Sequence, residues 1–375
     1  MLKSFTRLAV LALAVPAAHA QTDTWQWGAV LDITATSRAL GLAQRDQGLA
    51  LGHSDLSASG PIGQALSAQL TAAVHTHEGK TEAELEEAWL QTRNLPWGLQ
   101  ARAGRFASQL GYFNEQHPHA DDFVERPLMY RAFLGGHWND DGLRLNWTAP
   151  TPMYLRLGAE VFRGKRLIEH AERASTPGVS VLSARLGDDL GASHSWQAGF
   201  AFVQNRRQAE AAAHGHEDGH DDESEEEHDH GHGALYSGKR MQVWDVTWKW
   251  APEGNNSQRQ LRVGYERAAV HKPNEFATSA ERHVADHLAV VWRFSPTWEL
   301  GTRLERLRVA EPHGDHFHAA HLRQTSVMLA YKPGHMQTVR LQVAKQSGSD
   351  SLAAKGHSVQ LQYILNWGAH AAHSY

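Results

Sequence analysis

The stretch WELGTRLE, residues 298–305, decides the fold, because its apolar and charged residues alternate with a period of two. The apolar side chains stand mostly at even positions and the charged ones mostly at odd positions. This is the pattern of a β-strand whose two faces meet different environments. The same alternation recurs over 153–162, 243–250, 261–266 and 338–343. We therefore predict an all-β protein.

Three features favour a membrane barrel over a secreted sandwich, which would also alternate. The strands run for about ten residues or longer, enough to cross a bilayer when tilted. Many of the 13 tryptophans stand near strand ends, which is typical of aromatic girdles at the two interfaces. Short turns alternate with long polar loops at 164–178, 205–237, 271–282, 310–321 and 346–356. The sequence thus predicts a transmembrane antiparallel β-barrel with long extracellular loops.

The alternation identifies candidate strands near 26–36, 48–59, 64–75, 84–93, 97–107, 129–139, 142–148, 153–163, 179–187, 193–204, 238–250, 258–270, 283–294, 298–309, 322–332, 336–346 and 357–368. A single-chain bacterial barrel has an even number of strands, so one assignment must be wrong. We place the error between residues 129 and 163. The predicted number is about 16, with 18 as the alternative.

The two ends of the sequence predict export and membrane assembly. Residues 1–20 have a basic start, an apolar run and a small-x-small ending, which predicts a secretory signal peptide, with the barrel over 21–375. The last strand is amphipathic, and the chain ends on Tyr375, which resembles the recognition signal of bacterial outer-membrane barrels. We therefore expect a location in the outer membrane, with its lipid and the barrel-assembly machinery as partners.

The segment HGHEDGHDDESEEEHDHGH, residues 214–232, mixes imidazoles and carboxylates without a lysine or arginine. Its composition predicts a disordered loop over 206–236. Imidazole suits Zn²⁺ and other divalent transition metals. A disordered loop loses chain entropy when it closes around an ion, so we expect several sites of modest affinity rather than one fixed site. A second histidine cluster lies at 311–321. The predicted metal ligands are His214, His216, His220, His228, His230, His232, His313, His316, His318 and His321. The alternative is a solvated acidic loop without a metal role.

A barrel of 16 strands encloses water, whereas an eight-stranded one is filled by its own side chains. The strand pattern turns charged residues of both signs inward. The predicted pore-lining residues are Arg156, Glu160, Arg262, Glu266, Arg303, Glu305 and Arg340. The alternative is that these charges are paired wall residues that select nothing.

Two segments carry a family resemblance within a chain that as a whole resembles Gram-negative outer-membrane porins. ARAGRF at 101–106 and GYFNEQHPHADDFVERPLMYRAFLGG at 111–136 are similar to porin-like proteins related to the phosphate-selective porins. Some of those proteins carry histidine-rich loops and are associated with zinc supply, and the resemblance also implies a homotrimer. No lysine cluster like that of the phosphate-selective members can be matched, so phosphate is not predicted as substrate.

We expect a channel for passive diffusion of small hydrated ions, in which histidine-rich extracellular loops assist uptake of a divalent metal such as zinc. The metal would be transported or loop-bound, and no obligatory cofactor is expected. The alternatives are a general or anion-preferring porin, and a non-conducting barrel that binds metal at the surface. The sequence has no Gly-x-Ser-x-Gly elbow, so no enzyme is predicted, and no nucleic-acid partner is expected.

Overall fold

The computed structural model describes residues 24–77, 79–168, 177–207, 233–352 and 355–368. The predicted signal peptide, the six histidines of 214–232 and the end of the chain from residue 369 lie outside the described residues. The two borders of the predicted disordered loop, 206–207 and 233–236, are described. Arg207 is buried, and the backbone N–H of Tyr236 donates a hydrogen bond to the carbonyl of Ala132.

Strands make up most of the described chain. They are β1 (Gln26–Thr36), β2 (Gly48–Leu51), β3 (Ser54–Ile62), β4 (Leu66–His77), β5 (Lys80–Thr92), β6 (Leu99–Ala107), β7 (Asn139–Thr148), β8 (Tyr154–Phe162), β9 (Val179–Leu190), β10 (His194–Asn205), β11 (Arg240–Trp250), β12 (Gln260–His271), β13 (Arg282–Ser295), β14 (Trp298–His313), β15 (His316–Gly334), β16 (Gln337–Gly348) and β17 (Gly356–Gly368). The helices are α1 (Leu128–Leu134) and 3₁₀ turns at Pro96–Gly98, Pro118–Ala120, Pro252–Gly254 and Asp350–Leu352.

Every strand pairs antiparallel with its neighbours, and β17 pairs with β1, which closes the sheet into a barrel. β2 and β3 together form one strand of the wall. Ile33 of β1 lies opposite Leu51, and Val30 lies opposite Asp55, so three steps along β1 match four on the partner. One extra residue therefore interrupts the strand near His53. Counting β2 and β3 as one, the barrel has 16 strands, as predicted.

The predicted strand at 129–139 is wrong, and it lies in the region where an error was expected. Residues Leu128–Leu134 form helix α1, which starts after Pro127 and ends at Gly135 in the left-handed conformation (φ 63°). All seven of its residues are buried. A short run that is mostly apolar has no periodicity that separates a strand from a buried helix, which explains the misassignment.

The barrel wall has the inverse polarity of a soluble protein. On β14, Leu300 and Leu304 point outward and are 43% and 50% exposed, whereas Arg303 and Glu305 point inward and are 2% and 3% exposed. The other strands repeat this arrangement, with outward Leu, Val and aromatic side chains. An apolar outer band around a polar interior is the pattern of an outer-membrane barrel.

Aromatic residues cluster where consecutive strands are joined by short turns. The exposed tryptophans at this end are Trp25, Trp27, Trp97, Trp292, Trp298 and Trp367. They match the predicted interfacial girdle. Trp138 is an exception, because it is buried inside the barrel at 1% exposure.

The opposite end, here called the loop end, carries the longer connections 37–47, 108–138, 163–178, 206–239 and 272–281. The predicted loop at 310–321 is wrong. β14 continues to His313 and β15 begins at His316, so this segment is a hairpin with a turn at 314–315.

Among the described helices, none has the length and apolar character needed to cross a membrane.

Leu304→Arg should lower the free energy of unfolding in lipid vesicles by about 2–4 kcal/mol, because it places a charge on the lipid face near mid-strand. Denaturant titration of the refolded protein measures this change, with Leu304→Met as the matched control. An arginine tolerated as well as methionine would show that this face does not meet hydrocarbon.

Candidate functional site

The connection between β6 and β7, residues 108–138, folds into the barrel instead of projecting outward. This inner segment contains α1 and a 3₁₀ turn at Pro118–Ala120. It is joined to the inward faces of strands from β3 to β17 by hydrogen bonds and ion pairs, for example from His119 to Asp55 and from Gln360 to Glu125. Residues in the middle of the barrel are thereby removed from water, even though the lumen of a 16-stranded barrel is wide.

Apolar contacts hold α1 near the loop end. Its side chains belong to a buried cluster with inward residues of the wall, and the helix lies against β13 and β14. The wall members of this cluster include Phe162, Val181, Val203, Val243, Val270, Leu307 and Leu322. Earlier in the segment, before α1, the Phe123 ring packs with Val291 and Met328. The segment and the inward apolar residues of the wall therefore form one apolar core near the loop end.

Each of the seven predicted pore-lining residues contacts the inner segment. The contacts are Arg156 to Glu115 (2.9 Å), Glu160 to Ser108 (2.6 Å), Arg262 to Asp122, Glu266 to Tyr112 and Tyr130 (2.7 Å each), Arg303 to Glu125 (2.9 Å), Glu305 to Leu128 (2.7 Å) and Arg340 to Asp121 (2.7 Å). The inward orientation agrees with the sequence pattern. Any role of these residues in lining a conducting path stays a prediction.

Many of these contacts satisfy backbone groups that would otherwise be buried without a partner. Glu305 accepts a hydrogen bond from the backbone N–H of Leu128, at the first turn of α1, where N–H groups have no partner within the helix. Arg340 donates to the carbonyl of Asp121, and Arg303 donates to that of Glu125. The wall charges therefore position an irregular segment inside the barrel.

A second polar cluster joins the inner segment to β3 and β5, and a β-bulge on β5 creates it. Thr71 lies opposite Glu87 and Ala72 opposite Leu85, so Glu86 is an extra residue in the register. Successive side chains of a regular strand point to opposite faces, whereas a bulge re-aims one of them. Glu86 and Glu87 are consequently both buried.

This cluster, here called the histidine–carboxylate cluster, comprises His53, Asp55, Glu86, Glu87, His117, His119 and His137. Glu86 is its centre, because three imidazoles approach its carboxylate. The distances are 3.1 Å from His53 Nε2 to Glu86 Oε2, 3.3 Å from His117 Nδ1 to Glu86 Oε2, 2.6 Å from His137 Nδ1 to Glu86 Oε1, 3.5 Å from His117 Nε2 to Glu87 Oε2 and 3.0 Å from His119 Nδ1 to Asp55 Oδ2. The His117 and His119 rings stack with centroids 5.6 Å apart.

The three histidines that the inner segment contributes to the cluster differ in the direction of their pKa shifts. Burial lowers the pKa of His119 and that of His137 below the ordinary value. Burial also opposes the charged form of His117, but the carboxylates of Glu86 and Glu87 outweigh it and raise the pKa of His117 well above the ordinary value. The carboxylates of Glu86 and Glu87 thus attract the imidazole of His117.

A cavity of about 210 Å³ lies at the loop end, beside the cluster. His53, Glu86 and His137 stand on its wall, together with His75 and His77 of β4. Its border also includes Gly233 and Leu235, which follow the histidine-rich stretch directly in the sequence. The cavity therefore lies between the histidine–carboxylate cluster and residues Gly233 and Leu235.

The predicted ligands at 311–321 lie on the β14–β15 hairpin and are exposed. His313 is opposite His316, and the rings of His313 and His318 are 4.8 Å apart. His321 lies farther along the hairpin, where its Nδ1 is 3.2 Å from the Ser349 hydroxyl. The structure thus brings two of the four predicted histidines into ring contact. The remaining predicted ligands, at 214–232, lie outside the described residues.

Sequence analysis missed the histidine–carboxylate cluster as a unit. Its members come from three distant segments, and neither His53 nor Glu86 belongs to a local histidine motif. The pair His117-x-His119 gave a local signal. The adjacent acidic pair Glu86-Glu87, in a strand that otherwise alternates, is the sequence signal that could have indicated the bulge.

No protein-family model matches the sequence. An uncharacterised protein of Aquifex aeolicus (strain VF5) is 48% identical over 81 residues, which cover 22% of this chain and 17% of that protein. The match is thus confined to about a sixth of the relative and does not identify a family.

Similar solved structures are outer-membrane barrels. The loop L8 deletion mutant of OmpT from Vibrio cholerae has a TM-score of 0.57 at 11% identity, covering 92% of this chain and 99% of that one. OprB of Pseudomonas putida has a TM-score of 0.57 at 11% identity, covering 92% and 94%. An anion-selective porin from Comamonas acidovorans has a TM-score of 0.54 at 9% identity, covering 92% and 99%. The protein has a porin-like fold.

Glu266→Ala should loosen the inner segment, because it removes the acceptor of two hydrogen bonds, from Tyr112 N–H and the Tyr130 hydroxyl. A hydrogen bond contributes about 0.5–1.5 kcal/mol net, so the loss of two should accelerate amide exchange at 111–113 and 128–134 roughly 10-fold. Hydrogen-exchange mass spectrometry measures it. Glu281→Ala, which removes only local bonds to Thr278, is the control. Unchanged exchange in Glu266→Ala would mean that the apolar contacts alone hold the segment.

Proposed function

We propose that the protein is an outer-membrane channel for passive diffusion of small hydrated ions, and that its histidine-rich loops assist uptake of a divalent metal such as zinc. The observation that carries the metal part is the cavity at the loop end. Histidines and carboxylates line it, and Gly233, directly after the histidine-rich stretch, borders it. Metal collected by the stretch would therefore arrive beside donor groups of the barrel interior.

Loose binding is central to this mechanism. An ion must enter favourably and still leave quickly, so the loop sites have to exchange their metal faster than ions pass. Imidazoles flanked by carboxylates on a chain without apolar anchors suit this requirement, because closing such a chain around an ion costs conformational entropy. The exposed pair His313 and His318 on the β14–β15 hairpin adds imidazole donors of the same kind.

The inner segment determines the width of any ion path in this proposal. It spans the interior from the histidine–carboxylate cluster on β3 and β5 to Arg340 on β16, so ions pass between the segment and the wall. The resemblance to the zinc-associated porin-like group falls partly on this segment, at 111–136. Membership of that group forms part of the proposal.

A trimer also forms part of the proposal. A trimer form is described for OmpT of Vibrio cholerae, whose structure covers 92% of this chain with a TM-score of 0.53 at 10% identity. Barrel-assembly machinery acting on the last strand, and lipid at the apolar outer band, complete the proposed partners. Chemical cross-linking of the native membrane tests the oligomer.

A second candidate function, an anion-preferring porin, is favoured by the arginines that face the interior. Arg185, Arg262 and Arg303 exemplify this set, and the porin from Comamonas acidovorans is described as anion-selective. Many of these arginines are paired with carboxylates, which reduces their net field. The reversal potential in a KCl gradient decides between the two selectivities by its sign.

Single-channel recording in a planar bilayer tests the main proposal, with ZnCl₂ added on one side. Zinc should change the current through the wild type and should lose this effect when the six histidines of 214–232 are replaced by asparagine, because amide side chains do not replace imidazole as zinc ligands. This variant keeps the length and acidity of the loop. Deletion of Glu210–Gly233 is the companion variant.

Each outcome discriminates among the candidates. Channels indifferent to zinc and to both loop variants would leave a general or anion-preferring porin. A refolded barrel that never opens would favour a surface metal-binding protein without conduction.

A further inference from the structure

We propose that His53, Asp55 and His117 form a binding site for a divalent transition metal inside the barrel, with His119 as an additional donor and Glu86 as the carboxylate that orients the histidines. Among the described residues, one ligand atom from each of the first three lies within 4.8 Å of the others. The site is distinct from the surface histidines, because a strand of the wall and the inner segment each contribute ligands to it.

The donor atoms are incompletely used within the protein. Asp55 Oδ2, His117 Nδ1 and His119 Nδ1 are buried and make no well-aligned hydrogen bond among the described residues, and His117 Nδ1 meets Glu86 Oε2 only as an ion pair at 3.3 Å. His119 Nδ1 is 3.0 Å from Asp55 Oδ2, yet the two atoms lack hydrogen-bond alignment. The side chain of His119 is 10% exposed and that of Asp55 is 4% exposed. Buried polar atoms without hydrogen bonds are uncommon, and a bound ion is one way to satisfy them.

The donor set selects the class of ion. Imidazole nitrogens with one or two carboxylates favour zinc and its first-row neighbours, whereas calcium and magnesium require mostly oxygen ligands. Donor atoms of a tetrahedral zinc site lie about 3.3 Å apart, given zinc–ligand distances of about 2.0–2.1 Å. The present separations, up to 4.8 Å, therefore require small side-chain rotations on binding.

The surroundings would orient the ligands. Glu86 Oε2 lies 3.1 Å from His53 Nε2, and its Oε1 is 2.6 Å from Nδ1 of His137. His137 Nε2 in turn lies 2.8 Å from the carbonyl oxygen of Asn114, which holds the ring in place. Carboxylates that hold ligand histidines are a common feature of metal sites. The β-bulge supplies this carboxylate at the centre of the cluster.

Access to the site is from the loop end. His53 and Glu86 stand on the wall of the cavity that Gly233 borders. A role of the site in uptake rests on the proposed function, as a stage between the histidine-rich stretch and the interior. Metal binding itself does not depend on conduction and can be measured separately.

The competing explanation is that the cluster is a structural anchor, in which ion pairs between imidazoles and carboxylates attach the inner segment to β3 and β5. Under that explanation the cluster variants would alter the stability of the inner segment and leave metal binding unchanged. Metal titration therefore separates the two explanations.

The experiment uses the full chain refolded in detergent micelles, titrated with Co²⁺ by visible absorption and with Zn²⁺ against a chromophoric chelator. His53→Gln, His117→Gln and Asp55→Asn are the test variants. His287→Gln is the matched control, because His287 is also buried on the interior face, beside Phe113 and apart from the cluster. Heat-dependent gel mobility confirms that each variant forms a barrel.

The wild type should bind one Co²⁺ more tightly than the loop sites, with d–d bands of a nitrogen-containing site. The test variants should weaken this site at least ~10-fold, whereas His287→Gln and the Glu210–Gly233 deletion should retain it. If one test variant fails to fold, the others decide. Equal tight binding in folded test variants and wild type would overturn the site, as would loss of all tight binding on loop deletion.

Conductance separates this proposal from the proposed function. A tight site in a channel whose current ignores zinc would keep the internal site and reject metal uptake. Zinc-dependent current with unchanged binding in His53→Gln and His117→Gln would keep the uptake proposal and reject the internal site.

Discussion

The constraint on which the whole structure depends is that lipid offers no hydrogen-bond partner to the backbone. Strands can cross the hydrocarbon only if each N–H and C=O pairs with a neighbouring strand, so the sheet must close on itself. The pairing of β17 with β1 completes that closure. Closure leaves the outer face to apolar side chains and assigns polar side chains to an enclosed interior. The inverse polarity of β14, with Leu304 outside and Arg303 inside, follows from the same constraint.

An enclosed polar interior then needs partners for its charges. The inner segment supplies many of them: backbone carbonyls for Arg303 and Arg340, and N–H or hydroxyl groups for Glu266 and Glu305. Burying either partner alone would leave an unpaired charge or an unsatisfied backbone group, each of which destabilises the fold. Wall and segment are therefore mutually dependent. Together they position the buried histidines of the segment against the carboxylates of β3 and β5.

The histidines of the two metal proposals fall into two groups that arise differently. Those at 214–232 and on the β14–β15 hairpin are neighbours in sequence, and local composition alone indicates an affinity for cations. Those of the histidine–carboxylate cluster are assembled by a strand irregularity at His53, a bulge at Glu86 and the path of the inner segment. The cavity beside the cluster is bordered by Gly233, which follows His232 in the sequence. This arrangement gives the metal proposals a common location at the loop end.

The sequence by itself determined the barrel and the inward charges, because strand alternation is local and lipid makes the two faces of every strand unequal. It predicted about 16 strands with 18 as the alternative, and the structure has 16. The predicted strand at 129–139 is wrong, because a short, mostly apolar run does not distinguish a strand from a buried helix. The predicted loop at 310–321 is also wrong, because the strands of the β14–β15 hairpin extend into it. Only the tertiary structure decided that residues 108–138 enter the lumen and that His53, Glu86 and His117 meet. Those contacts join residues far apart in the chain. They are stabilised by burial and charge pairing, which no local sequence pattern indicates.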